Sequence, residues 1–462
     1  MSQEPFTIAI TGAGIAGLAL AIGLKDIPGA RVDLYERATQ LREIGASIAL
    51  GPNGMRTLER LGVHNALVDA ADDAQNGLSF RNTSGYPMVY RHYATGEIVS
   101  TDPTQADHIP KRHWTARYYR AHLQEALAAH VDPKQIHLSK TFAGVAWDEP
   151  AQKLVLSFTD GSTATADLLV GADGLHSRVR TFFVPTSRPV WTGALAFRSV
   201  FPRSHVAHIK DLPHEATHVW GPDRTLFFSP LGRSLYTVVG QLQFDPDDDK
   251  TEQEGINLKD TAKAWAAQGN VDTLRSLYAL WGPLVKDLVA AVPHTELYPN
   301  ASSHSLPTWV LSSPSVPAGR VTLVGDAAHA HGGAFATGGS LALDDAWALA
   351  ASLKASLDEA QRGETGSALL AALHVYETTR KAHTDRLLRV VHASNAARVE
   401  SLRKSRQPGA VAETDQQFRA RIGSRADPTW LHEHDVTATF AKAVREYQTR
   451  QTQDSSVVQS KI

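Results

Sequence analysis

The stretch Phe6-Thr7-Ile8-Ala9-Ile10-Thr11-Gly12-Ala13-Gly14-Ile15-Ala16-Gly17, running on through Leu18 to Leu24 and then to Val32-Asp33-Leu34-Tyr35-Glu36, decides the fold. Thr7 to Ile10 reads as a short apolar strand, Leu18 to Leu24 as an apolar, Ala-rich helix, and Val32 to Tyr35 as a second strand. The Gly-x-Gly-x-x-Gly turn falls between first strand and helix, where a dinucleotide-binding βαβ unit needs it. Gly12 permits a tight turn, Gly14 has no Cβ to obstruct a pyrophosphate, and Gly17 lets the helix pack closely on the strands. The free N–H groups and positive end of the helix then face the phosphates. Glu36 stands 19 residues past Gly17, near the spacing at which a carboxylate takes the ribose hydroxyls. A glycine turn alone is also what any tight strand-to-helix connection uses. The agreement of strand, turn, helix, strand and acid makes dinucleotide binding the reading, with NAD and FAD both open at this point.

Composition bounds the rest. The 462 residues suffice for two or three domains' worth of core, and 42% hydrophobic with 20% charged residues is ordinary for a globular protein. A formal net charge of −2 gives no electrostatic case for nucleic acid or an anionic membrane as partner. The absence of cysteine excludes disulfides, thiolate metal sites and a cysteine nucleophile. The 21 histidines are scattered, and His329-Ala330-His331 would chelate poorly, so no metal is expected. No apolar run approaches the roughly 20 residues that span a bilayer. The chain enters its first strand directly, so no secretory leader is expected and the cytosol is the expected compartment. The final Ser460-Lys461-Ile462 resembles the peroxisomal Ser-Lys-Leu address, which keeps peroxisomal import as the alternative.

Further along, Pro52-Asn53-Gly54 reads as a turn before a helix from Met55 to Leu61, and Arg117 to His130 reads as a helix with Leu123 and Leu127 on one face. Strands are expected at Leu78 to Arg81, Met88 to Tyr90, Ile136 to Leu138 and Leu154 to Phe158, the last ending in the Asp160-Gly161 hairpin signal. Asp167 to Gly171 is a buried strand running into the Gly-bracketed Asp173, and Ser177 opens a helix. By itself Asp173 reads as a turn former or N-cap. Residues 187 to 307 change character. Short aromatic strands at Gly193 to Arg198, His218 to Trp220, Thr225 to Phe228 and Leu235 to Val239 imply a mostly antiparallel sheet, with helices at Thr261 to Trp265 and Leu284 to Val289. Arg320 to Val324 returns to the parallel-sheet style and leads into Gly325-Asp326. A loop of small residues follows, then Ser340 as N-cap of a helix to about Leu357. Residues 367 to 403 are helical, the basic residues between Arg380 and Lys404 forming a solvated face. Asp427-Pro428 opens one more helix, Thr429 to Arg450, and the last dozen residues read as a disordered polar tail.

Three stretches now stand in order: Gly12 to Glu36, Asp167 to Arg180, and Val321 to Ala346. Together they resemble the single-component (group A) FAD-dependent aromatic monooxygenases, the group of salicylate hydroxylase and p-hydroxybenzoate hydroxylase, over most of residues 5 to 400. The resemblance implies an α/β fold. A Rossmann-type FAD-binding domain would come from residues 1–75, 103–186 and 308–403, with an inserted, mostly antiparallel β-sheet substrate domain from 76–102 and 187–307. Residues 404–462 would add C-terminal helices and the tail. It also implies that the first motif holds the ADP half of FAD, that Asp173 lies near the pyrophosphate and the nicotinamide route, and that Asp326 bonds the ribityl chain. Arg120 matches an arginine that touches the cofactor, although His122 stands where that motif has Asp. The implied cofactor contacts are Gly12, Gly14, Ala16, Gly17, Glu36, Arg37, Ser47, Arg120, Asp173, Gly325, Asp326, Gly338, Gly339 and Ser340. Elementary physics agrees: a carboxylate at a strand end accepts sugar hydroxyls, and a helix N-terminus near Ser340 stabilises the negative charge of a reduced flavin. The loop from Ala330 to Gly339 lacks two prolines common among relatives, gains glycines and the extra His331, and is expected to be more mobile.

The activity so implied is a monooxygenase that uses NADH or NADPH and O2 to hydroxylate a phenolic or aromatic-acid substrate through a C4a-hydroperoxyflavin. A single Gly-x-Gly-x-x-Gly means no second Rossmann domain for NAD(P)H. The substrate would lie between the inserted sheet and the flavin. Arg198 ends an apolar strand and would pair a carboxylate or phenolate, unless it serves an interdomain salt bridge. Tyr236 would bond a phenol or pack in a core. His218 or His331 would take a phenol proton or be structural. Other readings on the same scaffold are a flavin oxidase or reductase, a biosynthetic flavoenzyme that dearomatises, epoxidises or oxidatively decarboxylates, and a non-catalytic flavin binder. Partners are limited to the small aromatic substrate and O2, with no nucleic acid and no membrane, in a monomer or homodimer.

Overall fold

The glycine turn sits at the centre of a six-stranded sheet in a computed structural model that describes residues 4–41, 46–63, 77–248, 252–257, 267–360 and 365–459. The sheet order is Leu311–Ser313, Val316–Leu323, Leu168–Gly171, Phe6–Thr11, Ala30–Tyr35, Ile136–His137, parallel except for the first pair. Phe6–Thr11 and its neighbours are apolar on both faces because helices cover both. Ile15–Leu24 is buried at nine of its ten positions, and it packs against the long helix Gly338–Ala360. The three motifs therefore end on adjacent strands of one sheet, at their C-terminal edge, where open α/β sheets bind ligands.

A second sheet of eight strands runs Ala267–Gly269, Thr295–Ser302, Val190–Pro202, Leu235–Gln243, Arg224–Pro230, Thr217–Trp220, Val89–His92, Ile98–Thr101. It is antiparallel apart from the pairing of Thr217–Trp220 with Val89–His92. Alternation sorts its residues by face. Phe197, Phe201, Val219, Phe228, Tyr236 and Val238 join a separate hydrophobic core under the helices Val271–Leu277 and Pro283–Ala290. The opposite face turns toward the nucleotide-binding part, where Thr237 Oγ1 lies 3.2 Å from Ser47 Oγ.

Several local expectations are corrected. Pro52 to Gly54 form the first turn of the helix Pro52–Arg60, since proline at the first helical position has the right φ and loses no hydrogen bond. Arg117 to Tyr119 are strand, part of Ala116–Tyr119, which pairs with Ser47–Leu50 and Ser79–Phe80; the helix is only Arg120–Ala128, with Leu123 and Leu127 buried. Ser340 is no N-cap. The helix starts at Gly338, and Ser340 Oγ accepts the Gly51 N–H at 2.9 Å instead. The single helix expected from Thr429 is two, Thr429–His432 and Val436–Gln459, because Asp435 accepts the Thr437 N–H and starts a new helix. That second helix runs to Gln459, so most of the expected disordered tail is helical. Asp415–Gly423 is an unanticipated helix, although its Thr414/Gln417 capping box was legible. The expected helix at Thr261 to Trp265 and the terminal Ser460-Lys461-Ile462 lie outside the described residues.

Candidate active site

The glycine turn is held by contacts that forbid side chains. Gly12 has φ +98°, and a Cβ there would sit 2.5 Å from the Ala172 carbonyl oxygen, so it joins the first motif to the second. A Cβ on Gly17 would sit 2.0 Å from the Gly12 carbonyl oxygen. Gly17 thus keeps the helix close to the turn itself, with the Ile10 side chain next at 3.4 Å. Gly14 is the extended N-cap of Ile15–Leu24, leaving the first-turn N–H groups pointing outward. Glu36 accepts the Ala13 N–H on one oxygen and the Ala38 N–H on the other, both at 2.8 Å, and each oxygen keeps a lone pair for a sugar hydroxyl. Gln124, four residues past Arg120, donates to the Ala13 carbonyl at 2.8 Å and props the turn from behind. Sequence reasoning missed it, and its only signal is the i, i+4 spacing from Arg120.

The second and third motifs are stitched by Arg180. Its guanidinium, fully buried, donates to the carbonyls of Leu175, Asp326 and Ala327. Asp173 Oδ2 accepts the N–H groups of Arg178 (2.7 Å) and Val179 (3.2 Å), so it does cap a helix, while its Oδ1 is buried and finds no partner among the described residues. Burial pushes the Asp173 carboxyl up, against the hydrogen bonds from Ser177, Val179 and Arg178. At Gly325 (φ +61°) a Cβ would meet Ala16 Cβ at 3.0 Å, which locks the third motif onto the first helix. Asp326 is exposed while its neighbours on both sides are buried. Beneath it lies a network that the sequence did not reveal. Asp345 Oδ2 accepts the Gly325 N–H (2.9 Å) and contacts His329 Nε2 (2.5 Å), and Asp345 Oδ1 accepts from Arg380 Nε (2.7 Å). Burial alone would raise the Asp345 carboxyl, but His329 and Arg380 hold it down to about 2.

The remaining candidates fall in different places. Arg37 is exposed beside His176. Gly338 and Gly339 start the helix; a Cβ on Gly339 would crowd Leu50 (2.7 Å) and Ile48 (2.8 Å), and one on Gly338 would face the His331 ring at 3.4 Å. Arg198 lies on the cleft face of the eight-stranded sheet, its guanidinium 4.9 Å from the Tyr298 ring centre and 3.5 Å from Asn300 Oδ1. Burial lowers its pKa, Tyr298 opposes that, and Arg120 adds to it, so the cofactor-motif arginine and Arg198 share a neighbourhood. Tyr236 is on the wrong face: it is 1% exposed, in the second core, stacked on Phe228 and beside Phe201. Its position on an aromatic strand is one of core packing, which corrects its candidacy as a substrate contact.

His218 faces the cleft, but burial, then Arg425 and Arg398, push its pKa down to about 3. His331 is buried, bridged through its backbone to Ser302, and pushed down to about 4, mainly by burial. Both imidazoles are therefore neutral near pH 7 and weak as bases, which counts against either one taking a phenol proton. The loop around His331 has Gly332 and Gly333 at positive φ and, at greater cost, Phe335 (+55°) and Ala336 (+52°). Phe335 packs against Leu341, Leu387, Val391 and Leu431, so the C-terminal helices anchor it.

These features fit FAD. The turn lets phosphates approach, Glu36 retains acceptor capacity, and Asp173 Oδ1 and the Asp326 carboxylate both await donors. Fold and site together define a flavin-dependent oxidoreductase with one Rossmann unit. The chain belongs to the family of the FAD binding domain, which matches residues 6–269 and 304–391. It is similar to 6-hydroxynicotinate 3-monooxygenase of Pseudomonas fluorescens, 29% identical over 85% of this chain and 91% of that protein. Salicylate hydroxylase of Pseudomonas putida is 27% identical over 96% and 94%. A solved substrate complex of salicylate hydroxylase shares the fold, with a TM-score of 0.69, 24% identity and coverage of 96% and 98%. This chain is an FAD-dependent monooxygenase.

Proposed function

We propose that this enzyme uses NADH or NADPH and O2 to hydroxylate a phenolic or aromatic-acid substrate lying between the inner face of the eight-stranded sheet and the flavin. The observation that carries this is Arg198, an interior guanidinium on the face turned to the nucleotide-binding part, set against the Tyr298 ring and the Asn300 amide. In such surroundings it pairs an anionic ring substituent strongly. Bound FAD, which Glu36 and Asp326 would hold by its hydroxyls, would supply hydride acceptance from the nicotinamide and activation of O2. The ring C–H becomes C–OH, and the second oxygen leaves as water with the hydride and a proton. The chain's own part is positional. Arg198 fixes the anionic group, Phe227 and Val239 form an apolar floor that excludes water, and neutral His218 serves as a hydrogen-bond partner.

A groove of about 430 Å³ beside the second motif is lined by Phe142, His176, Arg178, Phe182 and Arg188. Its two guanidinium groups and aromatic rings suit a phosphate-bearing nicotinamide donor. Among the described residues no helix is long and apolar enough to cross a membrane. The reading includes a cytosolic location, which an N-terminal fluorescent fusion checks: punctate overlap with a peroxisome marker would overturn it.

The test is a screen of hydroxylated aromatic acids for stimulated NAD(P)H oxidation by the yellow holoenzyme, with product mass. Gain of one oxygen atom supports the proposal. Peroxide released without any oxygenated product makes the protein an oxidase, and net loss of carbon dioxide makes it a decarboxylating enzyme.

A further inference from the structure

A row of register partners crosses the cleft face of the eight-stranded sheet from Tyr90 through His218, Phe227, Val239 and Arg198 to Glu296, one from each of six adjacent strands. The last two are an arginine and a glutamate directly opposite each other on antiparallel strands, a placement that sets their Cβ atoms about 5 Å apart. Opposite charges so placed ordinarily pair. Here, among the described residues, no ion pair joins Arg198 to Glu296. Tyr298, two residues along from Glu296 and on the same face, engages them both. Its hydroxyl donates to Glu296 Oε2. Its ring centre lies 4.9 Å from the Arg198 guanidinium, within cation–π range, and Asn300 Oδ1 lies 3.5 Å from the same group. Tyr298 is buried, and burial, then Glu296, push its pKa up, so the hydroxyl keeps the proton it donates. The half-buried Arg198 is left with a ring and an amide oxygen, but with no carboxylate among the described residues.

We propose that Tyr298 is a positioning residue whose hydroxyl holds Glu296 off Arg198, and so keeps that guanidinium open to the anionic group of the substrate. This rests on the reading of Arg198 as the group that fixes the substrate's charge. Without the hydroxyl, the half-buried Glu296 loses its donor, and the cation directly opposite it is Arg198. A side-chain rotation then closes an Arg198–Glu296 pair, and an anionic substrate has to displace that carboxylate to bind. An uncharged substrate makes no claim on the guanidinium and meets no such competitor.

The experiment compares two backgrounds, the parent and Tyr298→Phe, which keeps the ring beside the guanidinium and removes only the hydroxyl. In each, a double-mutant cycle of Arg198→Ala with Glu296→Gln is read by chemical denaturation of the FAD-loaded enzyme. The parent is expected to show additive losses, and Tyr298→Phe a coupling of about fivefold or more in the unfolding constant as the new ion pair forms. The same FAD-loaded proteins are titrated with 4-hydroxybenzoate and with 4-hydroxybenzamide, reading the perturbation of flavin absorbance. Tyr298→Phe is expected to weaken the acid about tenfold (about 1.4 kcal/mol) and the amide hardly at all. Adding Glu296→Gln to Tyr298→Phe should restore the acid's affinity, a rescue that a merely structural role of the hydroxyl would not give. Equal coupling in the two backgrounds, equal losses for acid and amide, or a loss that Glu296→Gln does not relieve would each overturn the proposal. Coupling confined to Tyr298→Phe, with 4-hydroxybenzoate binding all the variants alike or none of them, would leave Glu296 held as proposed and remove Arg198 from the reading of the substrate site.

Discussion

The nucleotide-binding turn and the cleft face of the eight-stranded sheet build their sites by opposite means. In the turn, the critical contacts are made by backbone, Gly17 against the Gly12 carbonyl and Gly12 against the Ala172 carbonyl, with Gly325 closed in by the Ala16 methyl. A backbone contact admits one residue type, so it writes itself into the sequence as glycine at fixed spacing. On the sheet face, a row drawn from residues 90 to 296 meets only through strand register. Alternation tells which residues share a face of one strand and says nothing of which strand lies next to it. The turn is therefore rigidly specified and chemically generic, whereas the sheet face, which the proposed function makes the substrate side, is weakly specified in sequence.

The hardest blow to the first region is Gly17→Ala. One methyl group placed 2.0 Å from a backbone oxygen cannot be absorbed by a rotamer change, and the helix must leave the turn. The purified variant is expected to carry no flavin and to show no tight FAD binding on titration. Normal yellow occupancy would mean the turn is far more pliable than its contacts imply. Next in size is Asp345→Ala, which strips Arg380 and His329 of their shared carboxylate and frees the Gly325 N–H. Leaving a buried charge without its closest partner is expected to cost about 3–5 kcal/mol of stability, read by chemical denaturation. A loss under about 1 kcal/mol would show that Asp344, 4.0 Å from Arg380, already carries the pair.

Arg198→Ala tests the second region. It should cost about 2–4 kcal/mol in kcat/KM with an anionic substrate, Arg198→Lys should restore only part, and FAD content should not move. Equal losses with an uncharged analogue would reduce Arg198 to a structural residue.

Legibility follows the same division. The βαβ unit, the Gly-bracketed Asp173, the Gly325-Asp326 strand end and the aromatic strands of the inserted sheet could all be read from the chain. Arg117 to Tyr119 misled because an apolar, aromatic stretch leading into a helix fits either period, and sheet pairing with Ser47–Leu50 decided it. Tyr236 stayed open between a phenol contact and core packing because a lone strand pattern does not say which face meets a core. The Asp345, His329 and Arg380 network was hidden because His329 and Arg380 lie 16 and 35 residues from Asp345 and the three touch only through packing of three helices.

The smallest effect tests whether the two regions are mechanically joined. Thr237, on the sheet, is buried, and its hydroxyl lies 3.2 Å from Ser47 Oγ in the nucleotide-binding part and 3.1 Å from the Ser199 carbonyl in its own sheet. A hydroxyl has one proton, so it serves one of these acceptors at a time. If the proton goes to Ser47, Thr237→Val removes a bond between regions. If it goes to Ser199, only a bond within the sheet is lost, and Ser47 is left to donate or to find water. Either way the single substitution is expected to cost about 1 kcal/mol, since the valine keeps the shape and loses one buried hydrogen bond. The double-mutant cycle with Ser47→Ala separates the cases. A shared bond makes the pair less costly than the sum of the singles by about 0.5–1 kcal/mol, whereas additive losses mean that no bond crosses there. Because Ser47 is also a candidate cofactor contact, the cycle is run with and without bound FAD. Coupling that grows when FAD is bound would mean that the generic region positions the specific one through this bond, and coupling unchanged by FAD would make the contact a fixed strut.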